Sequence, residues 1–465
     1  MRDLHCCVPL EQARSRRSHV AALDYEDEMT RTTQLLTMRV VVLVVWVGVA
    51  AAGVAAIAIA TWALARERRH GLLGQYAAWL APKFGPIGVK LAQVASARGD
   101  IFPLSFLSPL RQLQDSVPNH TRSMSIQDVL EEAYGMCLPF AHVSPEPFAA
   151  GTIADLHTAW LGEQRVVLKI VRPEVEQVLT LDFTILERAA MVLAKLPALK
   201  GIPVVEALGY FRTAVLSQCD MEGEAKRALQ HIQRPCIETQ TPLPIFALTR
   251  RNVLVMQFLP HTAKIDGPLS LSVYRRACLT LLRDLYRMIF VFGSVHGDLH
   301  PGNVAVAADG RVVLYDFGLV SVLTDSDKSV FRRFFGSVVA SDAAGATDAL
   351  LESANRRMSP IEDKSIRGDM TSLLDKHANR RAGTFSVVTF VAELFVIQRR
   401  HRIYSAPGFS TAVWALAMYE GLVKEKFPEL DFQAIARAFL VSTQPEGIAN
   451  AAERLDMETV NRGHA

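Results

Sequence analysis

Two short stretches restrict what this chain can fold into more than any other feature: HGDLHPGN at residues 296–303 and LYDFGLV at residues 314–320. The first contains the pattern H-x-D-x-x-x-x-N, which is typical of the catalytic loop of phosphoryl-transfer enzymes. The residues between the two stretches predict a strand, an Asp-Gly turn and a second strand. Such a hairpin would return Asp316 to the neighbourhood of Asn303, so the spacing favours one site built from both stretches.

The residue types in this site fit phosphoryl transfer from a nucleoside triphosphate, which needs positioned Mg²⁺ and a carboxylate beside the attacking hydroxyl. We predict that Asp298 orients the nucleophile or accepts its proton. Asn303 is expected to ligate one Mg²⁺, and Asp316 to bridge metal and phosphates. Two other interpretations stay open from the residues alone. His296, Asp298 and His300 also have the spacing of an H-x-D-x-H metal site, and the same polar residues could simply build a loop.

The composition excludes some classes of protein. Half of the 465 residues are hydrophobic, which favours a sizeable core and roughly two to three domain-sized units. The formal net charge of +3, from 50 basic and 47 acidic residues, predicts no nucleic-acid partner. The 6 cysteines show neither a C-x-x-C pair nor zinc-site spacing. This usage is typical of buried thiols in a reducing compartment.

The apolar run at residues 40–64 predicts a membrane helix. It contains 25 residues without a charge, and at about 1.5 Å per residue it can cross a hydrocarbon layer of roughly 30 Å. The alternative is a buried core helix, but core helices are normally shorter and amphipathic. Arg39 precedes the run, and a larger basic cluster follows at Arg66, Arg68 and Arg69. This asymmetry predicts that the following catalytic region lies on the positive-inside face of a single-pass protein.

The strand-rich middle of the chain supplies a candidate phosphate-binding lysine. RVVLKIV at residues 165–171 is a β-branched run with one internal charge, Lys169, at the position where a small lobe holds the lysine for the α- and β-phosphates. An edge-strand surface lysine is the alternative. Glu222 and Glu224, at the start of a predicted helix, provide its candidate partners. A later strand, NVLVMQF, leads to a hinge near Gln257, which we expect to contact the nucleotide.

Two features of an ordinary protein kinase are missing. No G-x-G-x-x-G precedes Lys169, and PFAAGTIADLH at residues 147–157 stands in its place. Because alanine largely cannot adopt the positive φ that glycine tolerates, such a loop should be stiffer. After Asp316 the chain lacks an A-P-E motif and passes into a helical pattern. The platform that seats a peptide substrate is therefore predicted to be reduced or absent.

These features together resemble the UbiB family of atypical kinase-like proteins, also called aarF domain-containing kinases, from about residue 84 to about residue 440. In that family an Ala-rich loop replaces the Gly-rich loop. Its counterparts here, which the resemblance implies to bind nucleotide, are Ala149, Ala150, Gly151 and Thr152. The family's K-x-G-Q helix resembles the stretch with Lys90 and Gln93, which is implied to lie over the cleft. The family's E-x-D motif corresponds to Gln218 and Asp220, with Glu224 following.

The chain departs from the family pattern at three positions. Ala92 replaces the glycine of K-x-G-Q, and Gln218 replaces the first acid of E-x-D. Gln218 removes a counter-charge for Lys90, so we expect the clamp between the extension and the small lobe to be loosened or replaced by a neutral hydrogen bond. Gly151 replaces an alanine of the loop. A glycine there is expected to let the backbone amide turn inward and donate to a phosphate oxygen, unless it only fits a tight turn.

The resemblance implies an α+β, bilobal protein-kinase-like fold with a small β-rich lobe, a helical large lobe, an N-terminal helical extension and one transmembrane helix. The divisions expected are a tail with a possible targeting segment (1–39), the membrane helix (40–64), the extension (71–145), the small lobe (146–260), the large lobe (261–445) and a C-terminal tail (446–465). The targeting signal is equivocal, because transit peptides are poor in acidic residues and this tail contains an acidic cluster.

The function implied is that of a membrane-anchored atypical kinase or ATPase that uses ATP and Mg²⁺ and supports coenzyme Q (ubiquinone) or other isoprenoid-lipid metabolism. Expected partners are membrane lipid, quinone-biosynthesis proteins or lipid precursors, and a second copy of the chain. In a eukaryote the membrane would be mitochondrial. Two alternatives remain: a small-molecule phosphotransferase of the aminoglycoside or choline kinase type, and a pseudokinase scaffold that binds nucleotide without turnover. The K-x-G-Q-like helix argues against the first, and the intact Asp298 against the second.

Overall fold

The structure is a computed structural model that describes residues 10–62, 66–96, 102–111, 113, 124–196, 203–354, 358–378, 386–423, 426–427 and 430–441. Its architecture is the bilobal α+β arrangement expected from the sequence, with a helical extension before the small lobe. The tail expected at 446–465 and the first nine residues of the N-terminal tail lie outside the described residues.

Five helices precede the small lobe: α1 Leu10–Ala60, α2 Arg66–Leu80, α3 Pro86–Ser96, α4 Leu104–Arg111 and α5 Ile126–Tyr134. Among the described residues, one helical segment is long and apolar enough to cross a membrane, the 27-residue stretch Gln34–Ala60 of α1. Only its length and composition support that role. α5 begins at a capping box in which the Ser125 hydroxyl accepts from the Asp128 amide and the Asp128 carboxylate accepts from the Ser125 amide.

The small lobe is built on an antiparallel sheet in the order β1-β3-β4-β5, with β2 paired to β3. Its strands are β1 His142–Val143, β2 Ala149–Ala150, β3 Ala154–Leu161, β4 Gln164–Val171 and β5 Val253–Gln257. Three helices connect β4 to β5: α6 Val175–Leu193, α7 Val204–Leu216 and α8 Met221–Ile232. Side chains alternate between the two faces of a strand. Leu168 and Ile170 of β4 accordingly pack with α5, while Val171 packs with α6 and α8.

The large lobe is mainly helical. It contains α9 Leu271–Tyr286, α10 Asp325–Val339, α11 Ala343–Ser353, α12 Pro360–Ala378, α13 Val387–Arg400, α14 Pro407–Val423 and α15 Phe432–Val441. It also contains two small sheets. β6 Thr262–Lys264, which precedes α9, pairs with β8 Val304–Ala307, and β8 pairs with β9 Val312–Leu314. β7 Ser294–His296 and β10 Val320–Val322 form the other sheet. One continuous apolar core, which includes Tyr286, Phe331 and Tyr419, joins these helices and strands. The small sheets therefore sit on a rigid base.

Candidate active site

A cavity of about 880 Å³ lies between the two lobes. The small lobe contributes the β2–β3 loop and Lys169, and the large lobe contributes Asp298, Asn303 and Asp316. Helix α3 of the extension forms a third wall. The structure thus brings residues from three distant parts of the sequence into one cleft.

Lys169 is fixed at the centre of this cleft by two carboxylates. Since Leu168 and Ile170 face α5, the intervening Lys169 projects from the opposite face of the sheet, toward α8. Its Nζ donates to both oxygens of Glu224, at 2.8 and 2.9 Å, and lies 3.1 Å from Asp316 Oδ1. Glu224 lies in the first turn of α8, where Asp220 is the N-cap and accepts from the Gly223 amide at 3.0 Å. Asp220 therefore orients the helix that carries Glu224.

The charges in this cluster shift one another's pKa values. Burial alone would lower the pKa of Lys169, but the carboxylates of Asp316 and Glu224 outweigh it and raise the pKa. Burial raises the pKa of Glu224, and Lys169 opposes that shift. Burial would also raise the pKa of Asp316, but Lys169 and the Gly318 amide hold it well below its usual range. The two carboxylates share one directly paired ammonium, and Arg227 and Lys90 add positive charge nearby.

The catalytic loop is held by its own backbone. The carbonyl of Asp298 accepts from the His300 amide at 3.1 Å and from Asn303 Nδ2 at 2.9 Å. Because Nδ2 of Asn303 is engaged in this way, its Oδ1 is the atom that remains for a metal. The β8–β9 hairpin then returns the chain, and the Tyr315 amide donates to the Asn303 carbonyl at 2.9 Å. This is the hairpin that the sequence predicts, and it brings Asp316 and Asn303 to the same cavity.

The alternative H-x-D-x-H metal site is not assembled. His296 is fully buried, where its Nδ1 accepts from the Asp298 amide at 3.3 Å, and burial lowers its pKa. His300 instead lines the cavity. Its Nδ1 accepts from the Gly302 amide at 3.1 Å, and its Nε2 lies 4.0 Å from Asp298 Oδ1. Among the described residues, no group of three or more His, Cys, Asp or Glu side chains could hold a metal ion by itself.

The Asp-Phe-Gly segment turns its phenylalanine inward. Phe317 is buried between His231 and His296, with ring centroids 4.9 and 5.4 Å away. Asp316 adopts a φ of 57°, a conformation that costs energy for a non-glycine residue and here is held by Lys169 and the Gly318 amide. After this segment β10 pairs with β7, and α10 begins at once from the Thr324 cap. Residues 316–324 are too few to form a peptide-binding platform, as expected from the missing A-P-E motif.

The β2–β3 loop corrects one expectation. Ala149, Ala150, Gly151 and Thr152 all line the cavity. However, the Gly151 amide donates to the Ala154 carbonyl at 2.9 Å, and the residue does not adopt a positive φ. The prediction that this amide turns toward a phosphate is therefore wrong, because the tight turn already uses it. The Thr152 and Ile153 amides donate to no acceptor in the part of the chain that the structure describes, so they are the donors available to an anion here.

The hinge residue Gln257 lines the cavity, where it was expected to contact the nucleotide. Its backbone amide donates to the Leu243 carbonyl at 2.9 Å. Apolar side chains missed in the sequence form the neighbouring surface, among them Val167, Leu254 and Met256. The β-branched runs that form β4 and β5 are the sequence feature that could have indicated these apolar residues. An aromatic base would find an apolar slot here.

Helix α3 occupies the side of the cleft opposite the hinge. Its Ile87 is buried in the small-lobe core, while Lys90 and Gln93 line the cavity. Gln93 Nε2 donates to the Leu113 carbonyl at 3.1 Å. Lys90 contributes to the low pKa of Asp316, yet within the described part of the chain it makes neither an ion pair nor a hydrogen bond with Gln218. Among the described residues, the neutral Lys90–Gln218 hydrogen bond expected as one alternative is therefore not formed.

Comparison with known proteins agrees with this geometry. The profile of the ABC1 atypical kinase-like domain matches residues 112–350, just over half of the chain. The chain belongs to the UbiB family of ABC1 atypical kinase-like proteins.

Individual relatives are distant. The chain is 27% identical over 378 residues to a probable protein kinase UbiB of Marinobacter nauticus, covering 77% of this chain and 68% of the relative. It is 26% identical over 372 residues to the UbiB of Cellvibrio japonicus, with 77% and 66% covered. An uncharacterised Synechocystis protein is 27% identical over 362 residues, with 73% and 87% covered. This chain thus spans about two thirds of the length of these two UbiB relatives.

One solved structure is also similar, that of Rv3197 with erythromycin from Mycobacterium tuberculosis. It is 18% identical with a TM-score of 0.44, and the match covers 73% of this chain and 91% of that chain.

Proposed function

We propose that this UbiB-family protein is an ATP-dependent kinase or ATPase that uses Mg²⁺, is anchored to a membrane through α1 and supports coenzyme Q or other isoprenoid-lipid metabolism. The observation that carries the catalytic part is the Lys169 cluster. A lysine held between Glu224 and Asp316 faces the same cavity as Asp298 and Asn303. This is the set of groups that phosphoryl transfer requires.

The donor set of the cavity fits Mg²⁺, which prefers oxygen ligands and keeps several waters. Asp316 is anionic because its pKa is held low. Asn303 has its Nδ2 engaged and its Oδ1 left over. These two residues would hold the ion, which when bound neutralises charge on the phosphate oxygens. Of the two carboxylates around Lys169, Asp316 is the one that is partly exposed and therefore open to such a cation.

Each residue then has a defined task. Lys169 places a positive charge beside the phosphates, and Glu224 keeps it there. Asp298, with its backbone fixed by His300 and Asn303, presents its carboxylate to the attacking hydroxyl and accepts or orients its proton. The backbone amides of Thr152 and Ile153, in the β2–β3 loop, supply donors for phosphate oxygens.

The shape of the cleft restricts the acceptor. Residues 316–324 lead directly into α10, and Lys90 and Gln93 line the third wall of the cavity. Little surface is therefore left for an extended peptide. The acceptor we propose is therefore a lipid or a phenolic quinone precursor, with water as the acceptor if the protein is an ATPase. In a eukaryotic cell the proposed membrane is mitochondrial.

ATP turnover by the purified full chain tests this proposal. The protein is incubated with Mg²⁺-ATP and with lipid, phenolic quinone-precursor and protein acceptors, and both released phosphate and labelled acceptor are measured. The expected result is Mg²⁺-dependent turnover that Asp298→Asn removes. Nucleotide binding without any turnover in the parent protein would instead identify a scaffold.

A further inference from the structure

The apolar helix α1 is packed against the protein along a single stripe. Between residues 34 and 60, all but seven residues are exposed, and the seven partly covered ones recur at intervals of three and four. They are Leu36, Arg39, Leu43, Trp46, Ala50, Gly53 and Ile57. This average spacing of 3.5 is the pattern of a helix that packs along another helix. The stripe continues through the whole apolar segment.

Helix α2 is the partner of this stripe and runs antiparallel to α1. The rings of Trp46 and Trp79 meet edge to face, with centroids 6.2 Å apart. Further along, Tyr76 Oη donates to the Val49 carbonyl at 2.7 Å. Positions later in α1 thus meet positions earlier in α2. The two helices form a hairpin.

The open end of the hairpin is pinned to the small lobe. Arg39 Nε donates to Asp182 Oδ1 at 2.6 Å and its Nη2 to Oδ2 at 2.8 Å. The same Nη2 donates to the Phe84 carbonyl at 2.6 Å. Asp182 lies in α6 and is fully buried. The start of the apolar segment is therefore bound to the lobe that carries Lys169.

The closed end, or tip, of the hairpin is charged. Arg69 Nη2 donates to the Trp62 carbonyl at 2.8 Å, and Arg66, Glu67 and Arg68 are exposed in the first turn of α2. Helix α2 has 15 residues, about 22 Å at 1.5 Å per residue, which is less than a hydrocarbon layer of about 30 Å. It cannot return the chain across a bilayer.

Helix α2 also belongs to the folded extension. Gly74 lies so close to the Phe106 backbone of α4 that a Cβ there would overlap it. A hairpin that kept these contacts and crossed the membrane would carry both α2 and α4 into it. Crossing by α1 alone would require the stripe to separate from α2.

We infer that α1 does not cross the bilayer but lies along its surface, docked on α2 and pinned by Arg39, with its outer face in lipid. The inference rests on the proposed membrane anchoring and specifies its geometry. The outer face offers apolar residues without a charge from residue 40 to residue 60, among them Val41, Val44, Val45 and Val47. A lipid layer matches so continuous an apolar strip. The start of the segment at Gln34 then lies on the same side of the membrane as the nucleotide cleft, whereas a crossing helix would place it on the opposite side.

Labelling of cysteines in vesicles tests on which side of the membrane the start of the apolar segment lies. The full chain carrying Cys6→Ser, Cys7→Ser and Cys236→Ser retains the exposed Cys137 as a reference on the folded body. In a second variant Cys137→Ser is added and Gln34→Cys places a thiol at the exposed start of the apolar segment. The buried Cys219 and Cys278 remain in both. Each variant is reconstituted into phosphatidylcholine–phosphatidylglycerol vesicles, isolated by flotation and treated with a membrane-impermeant maleimide before and after detergent.

The expected result is that the Gln34→Cys position and the reference are labelled to the same extent before detergent. A Gln34→Cys position labelled only after detergent, beside a labelled reference, would show that α1 crosses the bilayer and would overturn the surface geometry while leaving the membrane anchor intact. Failure of the parent protein to float with vesicles would overturn both. Thr37→Cys provides a second position before the apolar valines, so that the result does not depend on one variant.

Discussion

Two ion clusters join the small lobe to other parts of the molecule. At the hairpin, one guanidinium meets one carboxylate, Arg39 with Asp182, and a backbone carbonyl accepts from the same guanidinium. In the cleft, one ammonium meets two carboxylates, Lys169 with Glu224 and Asp316. The first cluster is closed off from solvent on its carboxylate side, whereas in the second Asp316 borders the cavity.

The difference separates a structural contact from a binding site. An uncompensated charge away from water is costly, so a folded protein keeps one where another ion will balance it or where water can reach it. The side chain of Asp182 is 0% exposed, but that of Asp316 is 36% exposed and borders the cavity. The buried Arg39–Asp182 pair can only hold α1 in place. The Lys169 cluster borders the cavity through Asp316 and can accept a cation.

The largest effect is expected from removing the carboxylate of Asp316, which borders the cavity. Asp316→Asn should abolish the Mg²⁺-dependent stabilisation by nucleotide in a thermal-shift assay, because the carboxylate that carries the metal is lost. The protein without ligand should stay folded, since Lys169 and Glu224 then form a balanced pair.

The exposed Asp309→Asn, on the β8–β9 hairpin, is the matched control and should respond to Mg²⁺-nucleotide like the parent. An undiminished shift in Asp316→Asn would remove the proposed metal site.

Breaking the Arg39–Asp182 pair should lower the free energy of unfolding without changing the response to Mg²⁺-nucleotide. Arg39→Ala leaves the carboxylate of Asp182 buried without a partner, and the loss of one member of a buried pair typically costs about 3–5 kcal/mol. Burial already raises the pKa of Asp182 against the effect of Arg39. The free energy of unfolding in denaturant measures the change. Asp182→Asn should cost less, because the remaining Arg39 is partly exposed.

An exposed pair of the same type provides the control. Arg251 and Glu176 lie 2.6 Å apart with side chains 68% and 42% exposed, so Arg251→Ala should cost at most about 1 kcal/mol. Equal stability of Arg39→Ala and Arg251→Ala would show that the hairpin is not pinned.

A smaller effect is expected at the third wall. Lys90 lines the cavity and lies near enough to Asp316 to help lower its pKa, so its ammonium occupies space beside the proposed metal and phosphate site. Lys90→Ala should raise phosphate release a few-fold with no loss of melting temperature. Lys83→Ala, at an exposed position just before α3, is the control. Unchanged turnover in well-folded Lys90→Ala would count against occlusion by α3.

The sequence predicted the parts of this molecule that local patterns encode. The strand alternation around Lys169 places that residue on the face opposite Leu168, and the Asp-Gly turn returns Asp316 to Asn303. Contacts between distant segments leave no such pattern. Arg39 and Asp182 are 143 residues apart, and nothing local to either indicates the other. The same reason explains why the apolar run predicts a membrane helix but not that its inner stripe would pack on α2.

The smallest expected effect concerns Gly151, where the sequence allowed two interpretations and the structure favours one. The amide already donates to the Ala154 carbonyl, and a Cβ at this position would lie 2.9 Å from that oxygen. Gly151→Ala must therefore shift the β2–β3 turn and should cost about 1–3 kcal/mol, the usual range for overpacking. Affinities for ATP and ADP should change little. Gly209→Ala, in α7 with open space around it, should instead stabilise by about 0.5–1 kcal/mol. Melting curves and nucleotide titrations on both variants decide the matter, because a tenfold loss of ATP affinity at an unchanged melting temperature would restore the phosphate-binding role of the Gly151 amide.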